Sequence, residues 1–422
     1  MYGEPAERRL SLMSTDRIAQ AALGVMALHV ADDSFLQPAA GTSAADHLVS
    51  GLVPIALLAL AVWAWPRLRP GVAAAAGIAL GLFGVTLAAE AVFYWGATGL
   101  SGDDFTGLAA GLAGIVLIGV SATVLWTSRR RTGPRAWRWS RRALGATAGA
   151  VGVFLLVGPV LLAYGVTHIT RAEIPAAHLG VPYEDITLHT ADGLDLHGWY
   201  IPSRNGAAVM VYPGRAKAQK HARYLARAGY GVLLVDRRGE GASDGDPHGF
   251  GWTFDEDIRA GVRFLQDRDD VDPERIAGLG LSVGGEMMLQ TAADTRGLAA
   301  VVSDGAGARV LSEELADQSA LNKVIGAPTF ALKTGSLAVF SGHAPPSDLT
   351  TYIPRIAPRP ILLIHAARGE VDAKTQEYLA AARGPAEDWE VSRGGHTAGI
   401  DTMPREYAQR VLAFLDGSLP AA

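Results

Sequence analysis

The stretch ERIAGLGLSVGGEMMLQTAAD, residues 274–294, is the part of this chain from which the fold can be worked out. A short apolar run ends in a glycine-rich turn that holds Ser282, and an amphipathic segment follows at once. This order predicts a strand, a sharp turn and a helix. Gly280 and Gly284 lie two residues before and after the serine, where a Cβ would clash with the strand and helix. The helix would aim backbone N–H groups at the serine, which suits a developing oxyanion.

A second G-x-S-x-G match at residues 241–245 serves as a control for the first. With 50 Gly in 422 residues, such matches also arise by chance. The sequence DPHGFGW follows the second match, and this turn-forming run cannot open a helix. Ser243 is therefore predicted to lie in a loop, whereas Ser282 is the candidate nucleophile.

The composition limits the classes of function that need to be considered. The chain is 49% hydrophobic, and the apolar excess lies in its first 170 residues, which predicts two domains. A formal net charge of −5 gives no electrostatic case for a nucleic-acid partner. The absence of cysteine excludes disulfides and thiol nucleophiles, and the 11 His show no spacing typical of zinc. We therefore expect neither a metal nor another cofactor.

Residues 1–170 are predicted to form an all-α transmembrane bundle of four or five helices. The four long apolar runs meet the length needed to span a membrane; they are residues 48–65, 71–95, 105–127 and 143–167. A shorter run at 18–31 could instead be a signal-peptide core or a buried helix. We count it as a fifth span because loops with arginine and loops without it then alternate along the whole bundle.

The arginines of the short loops predict the orientation of this bundle. Arg67, Arg69 and the basic stretch 129–142 lie in alternate loops, whereas the loops 32–47 and 96–104 contain no Lys or Arg. Arginine-rich loops stay in the cytoplasm under the positive-inside rule. The protein is therefore expected in the cell membrane, with everything after Thr167 on the extracytoplasmic side.

From residue 181 onward, strands alternate with helices, which favours a largely parallel sheet covered on both faces. Four segments follow one another along this part of the chain: VYPGR, GVLLVDRRGEGASDG, GLGLSVGGE and GGHTAG. In this order they resemble the α/β-hydrolases of the prolyl-oligopeptidase-like and dienelactone-hydrolase-like branch, over about the last 240 residues. The resemblance implies an α/β-hydrolase fold, a mostly parallel eight-stranded sheet flanked by helices, in a domain at 171–422.

The same resemblance implies the main catalytic groups. A serine hydroxyl needs a base to take its proton, and His396 in GGHTAG follows Ser282 in the order that this fold uses. Two backbone N–H groups would form the oxyanion hole, those of Val283 and of Arg215.

The acid of the triad is where this sequence departs from the family. The usual aspartate position after the seventh strand is occupied by Gly369. We predict Glu370, one place further on, because its additional methylene can offset a one-residue shift. Asp372, in the same turn, and Asp304, at the end of the sixth strand, stay open as alternatives.

A cap-like insertion is predicted at about 305–357, between the sixth and seventh strands. Its stretch IGAPTFALKTGSLAVF at 325–340 is apolar apart from one lysine. We expect it to cover the Ser282 pocket and to favour apolar acyl groups.

Together these features predict a membrane-anchored serine hydrolase that cleaves an ester or amide through an acyl-enzyme. The expected partners are a small-molecule or lipid-like ester or amide substrate and membrane lipid. Two alternatives stay open: a catalytically inactive extracytoplasmic binding or sensing module, and an acyltransferase that uses the same serine.

Overall fold

The protein is described from a computed structural model that covers residues 6–38, 42–98, 102–128, 134–168, 174–316, 319–367 and 374–420. The chain divides into two compact units. The helical unit consists of Met1–His168 with Pro328–Gly342, and the sheet unit consists of Ile169–Ala327 with His343–Ala422.

The helical unit contains the predicted membrane helices. In chain order its first five α-helices are α1 Ala6–Ala31, α2 Leu48–Ala64, α3 Pro70–Thr98, α4 Gly102–Ser128 and α5 Arg135–Thr167. Among the described residues, four segments are long and apolar enough to cross a membrane: Leu48–Arg67, Pro70–Phe93, Asp104–Ser128 and Arg135–Thr167. Helix α1, which contains the run 18–31, is not one of these four.

Helix α5 begins earlier than the sequence predicted. The apolar run starts at residue 143, but the helix starts at Arg135 and includes much of the basic stretch. Arginine is a good helix former. A criterion based on hydropathy detects only the apolar run, so it misses the helical turns that arginine forms ahead of that run. The guanidinium of Arg141 lies 5.8 Å from the ring centre of Trp137, one turn earlier in the same helix.

The sheet unit contains one eight-stranded sheet in the order β1-β2-β4-β3-β5-β6-β7-β8. Its strands are β1 Glu184–His189, β2 Asp195–Ile201, β3 Ala208–Tyr212, β4 Gly231–Val235, β5 Ile276–Leu281, β6 Ala300–Asp304, β7 Ile361–Ala366 and β8 Ala386–Val391. Strand β2 runs antiparallel to both of its neighbours, and β3 to β8 are parallel. The predicted α/β-hydrolase fold is confirmed.

Helices cover both faces of this sheet, as predicted. The helices that follow α5 in the chain are α6 Gln219–Arg227, α7 Asp255–Gln266, α8 Val283–Asp294, α9 Leu311–Ala316, α10 Ala320–Ser341, α11 Leu349–Tyr352, α12 Thr375–Ala381, α13 Gly399–Thr402 and α14 Pro404–Ser418. Helices α6 and α14 pack on one face, and α7, α8 and α12 pack on the other. Strands β3 to β6 are buried along their whole length, which explains why they read as continuous apolar runs.

The insertion between β6 and β7 consists of helices α9, α10 and α11. Helix α10 holds the apolar stretch 325–340, and its part from Pro328 onward belongs to the helical unit. There the Phe340 ring meets the Tyr164 ring edge-on at 5.4 Å between centroids, and the Tyr164 hydroxyl donates to Glu90. Phe340 of this stretch therefore packs within the helical unit. Its role as a cap over the Ser282 pocket stays a prediction.

The parallel strands bring the candidate site residues to one edge of the sheet. Ser282 follows β5 directly, Asp304 is the last residue of β6, and His396 lies in the loop after β8. Carboxyl ends of parallel strands meet at the same edge, where open α/β sheets bind their ligands.

Candidate active site

The turn at Ser282 has the strained backbone that the flanking glycines predict. Ser282 has φ 54° and ψ −125°, a conformation that L-residues rarely adopt. A Cβ on Gly280 would lie 2.2 Å from the carbonyl oxygen of Gly284, and one on Gly284 would lie 2.3 Å from that of Tyr212. Both positions therefore require glycine.

Backbone hydrogen bonds hold this turn between β6 and α8. The Ser282 N–H donates to the Asp304 carbonyl at 2.7 Å, and the Ser282 carbonyl accepts from Gly285 N–H at 2.8 Å. Helix α8 begins at Val283, directly after the serine. The N–H groups of a first helical turn have no intrahelical acceptor, so that of Val283 is available to an oxygen bound at Ser282.

The structure brings His396 into hydrogen-bond contact with Ser282. The His396 Nε2 lies 2.7 Å from the Ser282 Oγ, although 114 residues separate the two in sequence. Gly305, with φ 80°, leaves space for the imidazole, since a Cβ there would lie 2.7 Å from the His396 Cε1. Such contact between nucleophile and base is what general-base activation of a serine needs.

The second G-x-S-x-G serine has a structural environment instead. Ser243 is fully buried, and its hydroxyl accepts the His197 N–H at 2.9 Å and donates to the Asp236 carbonyl at 3.3 Å. No helix begins directly after it, since α7 starts only at Asp255. The prediction that Ser243 lies in a loop is confirmed.

Of the three candidate acids, Glu370 and Asp372 lie outside the described residues. Asp304 is described and is only 2% exposed. Its Oδ2 accepts the Tyr407 hydroxyl at 2.8 Å, and burial together with this carboxylate raises the pKa of Tyr407 far above its usual range. Asp304 therefore lies at the site, with one oxygen engaged by Tyr407. The identity of the acid stays a prediction.

Arg215, whose backbone N–H is predicted to serve the oxyanion hole, binds a carboxylate with that N–H. Its backbone N–H donates to Asp236 Oδ1 at 2.7 Å, and its Nε donates to Asp236 Oδ2 at 2.6 Å. An amide held by a buried carboxylate is not positioned to bind a substrate oxygen. Sequence reasoning missed this because Asp236, at the end of the neighbouring strand, gives no local signal that it turns toward residue 215.

A cavity of about 540 Å³ opens over the serine and the histidine. Its apolar and neutral lining includes Pro213, Ala216, Leu281, Val283, Thr397 and Ile400. Among the described residues, none of the lining comes from the insertion at 305–357. This volume accommodates the acyl part of a small substrate.

A buried carboxyl group that the sequence did not single out lies behind the nucleophile. Glu286 follows Ser282 by one helical turn, is 6% exposed, and accepts the Gly307 N–H at 3.4 Å. Burial raises the pKa of Glu286 to about 7, the Glu313 carboxylate adds to this, and Arg309 and His396 oppose it. The motif G-x-S-x-G-G-E places an acid there, but only the fold shows that it is buried.

A second buried acid, Glu313, lies near Glu286 and the same cation, Arg309. It is fully buried and accepts the N–H groups of Arg309, Val310 and Leu349. The Arg309 guanidinium donates to Gln290 and to the Ser347 carbonyl. Two carboxyl groups thus share the field of one arginine, which favours a proton on Glu286 near neutral pH.

We predict that Glu286→Gln changes how stability depends on pH. The folded-state pKa of about 7 lies above the ordinary value of 4.5, so the folded protein binds the additional proton and loses stability as pH rises. From pH 5 to pH 8 this group should cost the wild type about 2–3 kcal/mol. Denaturant unfolding in detergent at both pH values should show that the variant avoids this loss.

Glu387→Gln is the matched control, because Glu387 is exposed on β8. It should follow the pH dependence of the wild type. Equal pH dependence of the wild type and Glu286→Gln would show that Glu286 carries no proton near neutrality.

The part of the chain that holds this site is similar to a known protein family. Residues 172–394, just over half of the chain, match Peptidase_S15, described as X-Pro dipeptidyl-peptidase (S15 family). The uncharacterized protein YfhR of Salmonella typhimurium is 27% identical over 258 residues, covering 56% of this chain and 83% of that protein. A polyketide transferase of Stachybotrys chlorohalonatus is 32% identical over 169 residues, covering 36% and 56%.

Among solved structures, an esterase of Pyrococcus furiosus is similar with a TM-score of 0.48 and 21% identity, covering 60% of this chain and 98% of the esterase. Since the family match spans residues 172–394, the chain belongs to the Peptidase S15 family of α/β-hydrolases.

Proposed function

We propose that this protein is a membrane-anchored serine hydrolase that cleaves an ester or amide through an acyl-enzyme on Ser282. The observation that carries the proposal is the 2.7 Å contact between His396 Nε2 and Ser282 Oγ at a strained strand-to-helix turn. Family membership and the available Val283 N–H support it.

In the first half of the reaction, Ser282 Oγ forms a bond to the substrate carbonyl carbon while its proton passes to His396 Nε2. The carbonyl oxygen becomes an oxyanion. The bond to the leaving oxygen or nitrogen then breaks, and that atom receives the proton from His396. In the second half, water attacks the acyl-serine by the same proton transfers and releases the acid.

The oxyanion needs two donors, and the chain offers a candidate for the second. The Val283 N–H is the first donor. We assign the second to Ala216, because it follows Arg215 in the same turn and lines the cavity, whereas the Arg215 amide binds Asp236. Each such donor contributes about 10²–10³ in rate in serine hydrolases.

The serine assignment predicts the result of labelling with a fluorophosphonate probe. The wild type should be labelled, and Ser282→Ala should not, because the probe reacts only with an activated serine. Ser243→Ala is the matched control, since it removes the other G-x-S-x-G serine, and it should keep the label when folded.

Two results would contradict this assignment. An unlabelled wild type favours the non-catalytic binding module, and a label that persists in Ser282→Ala places the nucleophile elsewhere. If the label is present but the acyl group passes to an added alcohol or amine in preference to water, the enzyme is an acyltransferase.

The triad acid can be identified by isosteric amides. We propose Glu370, and we expect Glu370→Gln to lower kcat by about 10⁴, because the acid holds the histidine tautomer and stabilises the imidazolium. Asp372→Asn and Asp304→Asn, measured beside it, should retain much more activity. If Glu370→Gln keeps nearly full kcat while one of the others collapses, the role passes to that residue.

The arginine distribution predicts that the sheet unit lies outside the cell. Arg67, Arg69 and the stretch 129–142 fix the cytoplasmic ends of the four spanning helices whether or not α1 crosses the membrane. The chain has no cysteine, so single cysteines can report the side. Arg383→Cys, at an exposed site of the sheet unit, should react with a membrane-impermeant maleimide on intact cells.

Ser128→Cys, at the exposed end of α4, is the control and should react only after lysis. The reverse pattern, with Ser128→Cys labelled on intact cells and Arg383→Cys protected, would reverse the orientation.

A further inference from the structure

The cavity over Ser282 has a positive charge excess that the proposed chemistry does not use. Four cations and two acids line it: Lys217, Lys220, Arg223, Arg237, Glu240 and Asp401. The lining also includes His221, whose pKa is lowered to about 4 by burial, so it adds no charge at neutral pH. The chain as a whole carries −5, so this positive cluster opposes the net charge of the protein.

Two of the four cations are already engaged by the protein. Lys220 contacts Asp401 directly, with both side chains about half exposed. Arg223 donates from Nε and Nη2 to the His178 carbonyl at 3.2 and 3.0 Å. These contacts fix the rim of the cavity.

The other two cations have weaker contacts or none, and the Arg237 guanidinium lies 5.9 Å from the ring centre of Phe254. Arg237 lies 3.5 Å from Glu240 between Nε and Oε2, which is longer than a good charge-assisted hydrogen bond. Lys217 is exposed in the turn after β3 and makes no hydrogen bond or ion pair within the part of the chain that the structure describes. The cavity thus offers an ammonium and a guanidinium group in the same space as the nucleophile.

A concave site lined by an excess of one charge concentrates ligands of the opposite sign. Arginine and lysine are also the side chains that bind carboxylate and phosphate groups best. We infer that the substrate carries, besides its reacting ester or amide, a carboxylate or phosphate group that Lys217 and Arg237 bind in this cavity. This inference rests on the proposed hydrolase function and specifies its substrate class.

Matched ester pairs test the inference. Mono-4-nitrophenyl succinate and 4-nitrophenyl butyrate have acyl groups of equal length and the same leaving group, and only the succinate is anionic. Dihexanoyl phosphatidylglycerol and dihexanoylglycerol form the corresponding lipid pair. A preference for the anion in the succinate pair indicates a soluble anionic ester as the substrate. A preference in the lipid pair indicates an anionic phospholipid.

The quantity to compare is the ratio of kcat/KM for the anionic member over the neutral member, because intrinsic reactivity cancels between variants. In at least one pair, the ratio should fall about tenfold in Lys217→Gln and in Arg237→Gln, as expected for loss of one charge-assisted contact. Arg383→Gln should keep the ratio of the wild type, since Arg383 is exposed before the amino end of β8. Unchanged ratios in both cavity variants would overturn the inference while leaving the hydrolase function intact.

A binding measurement tests the inference independently of turnover. A lack of turnover would contradict the proposed function, but it would leave the binding of an anion open to this test. Full-length Ser282→Ala should bind monomethyl succinate or glycerol phosphate by calorimetry more tightly than methyl butyrate. Adding Lys217→Gln should weaken the binding of the anion about tenfold. Equal affinity for the anionic and neutral probes would contradict the inference.

Discussion

The close approach of strand, turn and helix at residues 280–284 is the constraint on which the site depends. Gly284 passes so near the Tyr212 carbonyl that a Cβ would lie 2.3 Å from it, and Gly280 meets the backbone of the helix in the same way. This packing holds Ser282 at φ 54° and directs its hydroxyl toward His396. The same geometry places the Val283 N–H beside the serine, so the candidate nucleophile and the candidate oxyanion donor both follow from one turn.

Buried ion pairs position the loops around this turn. Asp236 is fully buried at the end of β4 and holds both the amide and the side chain of Arg215. Asp257 does the same for the amide and guanidinium of Arg238. Their burial is tolerated because several hydrogen bonds accompany each charge pair. Of the cations that line the cavity, Lys217 and Arg237 have fewer protein partners, and these are the two that we infer bind a ligand.

The sequence predicted features that depend on local patterns. Ser282 and its glycines, the alternation of strands and helices, and the four apolar spans all have a signature within one segment. The burial of Glu286 and the capture of the Arg215 amide by Asp236 depend on residues brought together only by the sheet. Helix α5 starts before its apolar run because its first turns are basic. The sequence does not separate Glu370 from Asp372 because a shift of a few residues is within the tolerance of a turn.

A crystal structure of the protein after reaction with a fluorophosphonate would show directly whether Ser282 is the nucleophile. We expect a covalent bond from phosphorus to Ser282 Oγ, with the phosphoryl oxygen about 2.7–3.1 Å from the Val283 nitrogen and His396 retained beside the oxygen of the adduct. An adduct on another residue, or a phosphoryl oxygen turned away from the start of α8, would contradict this expectation.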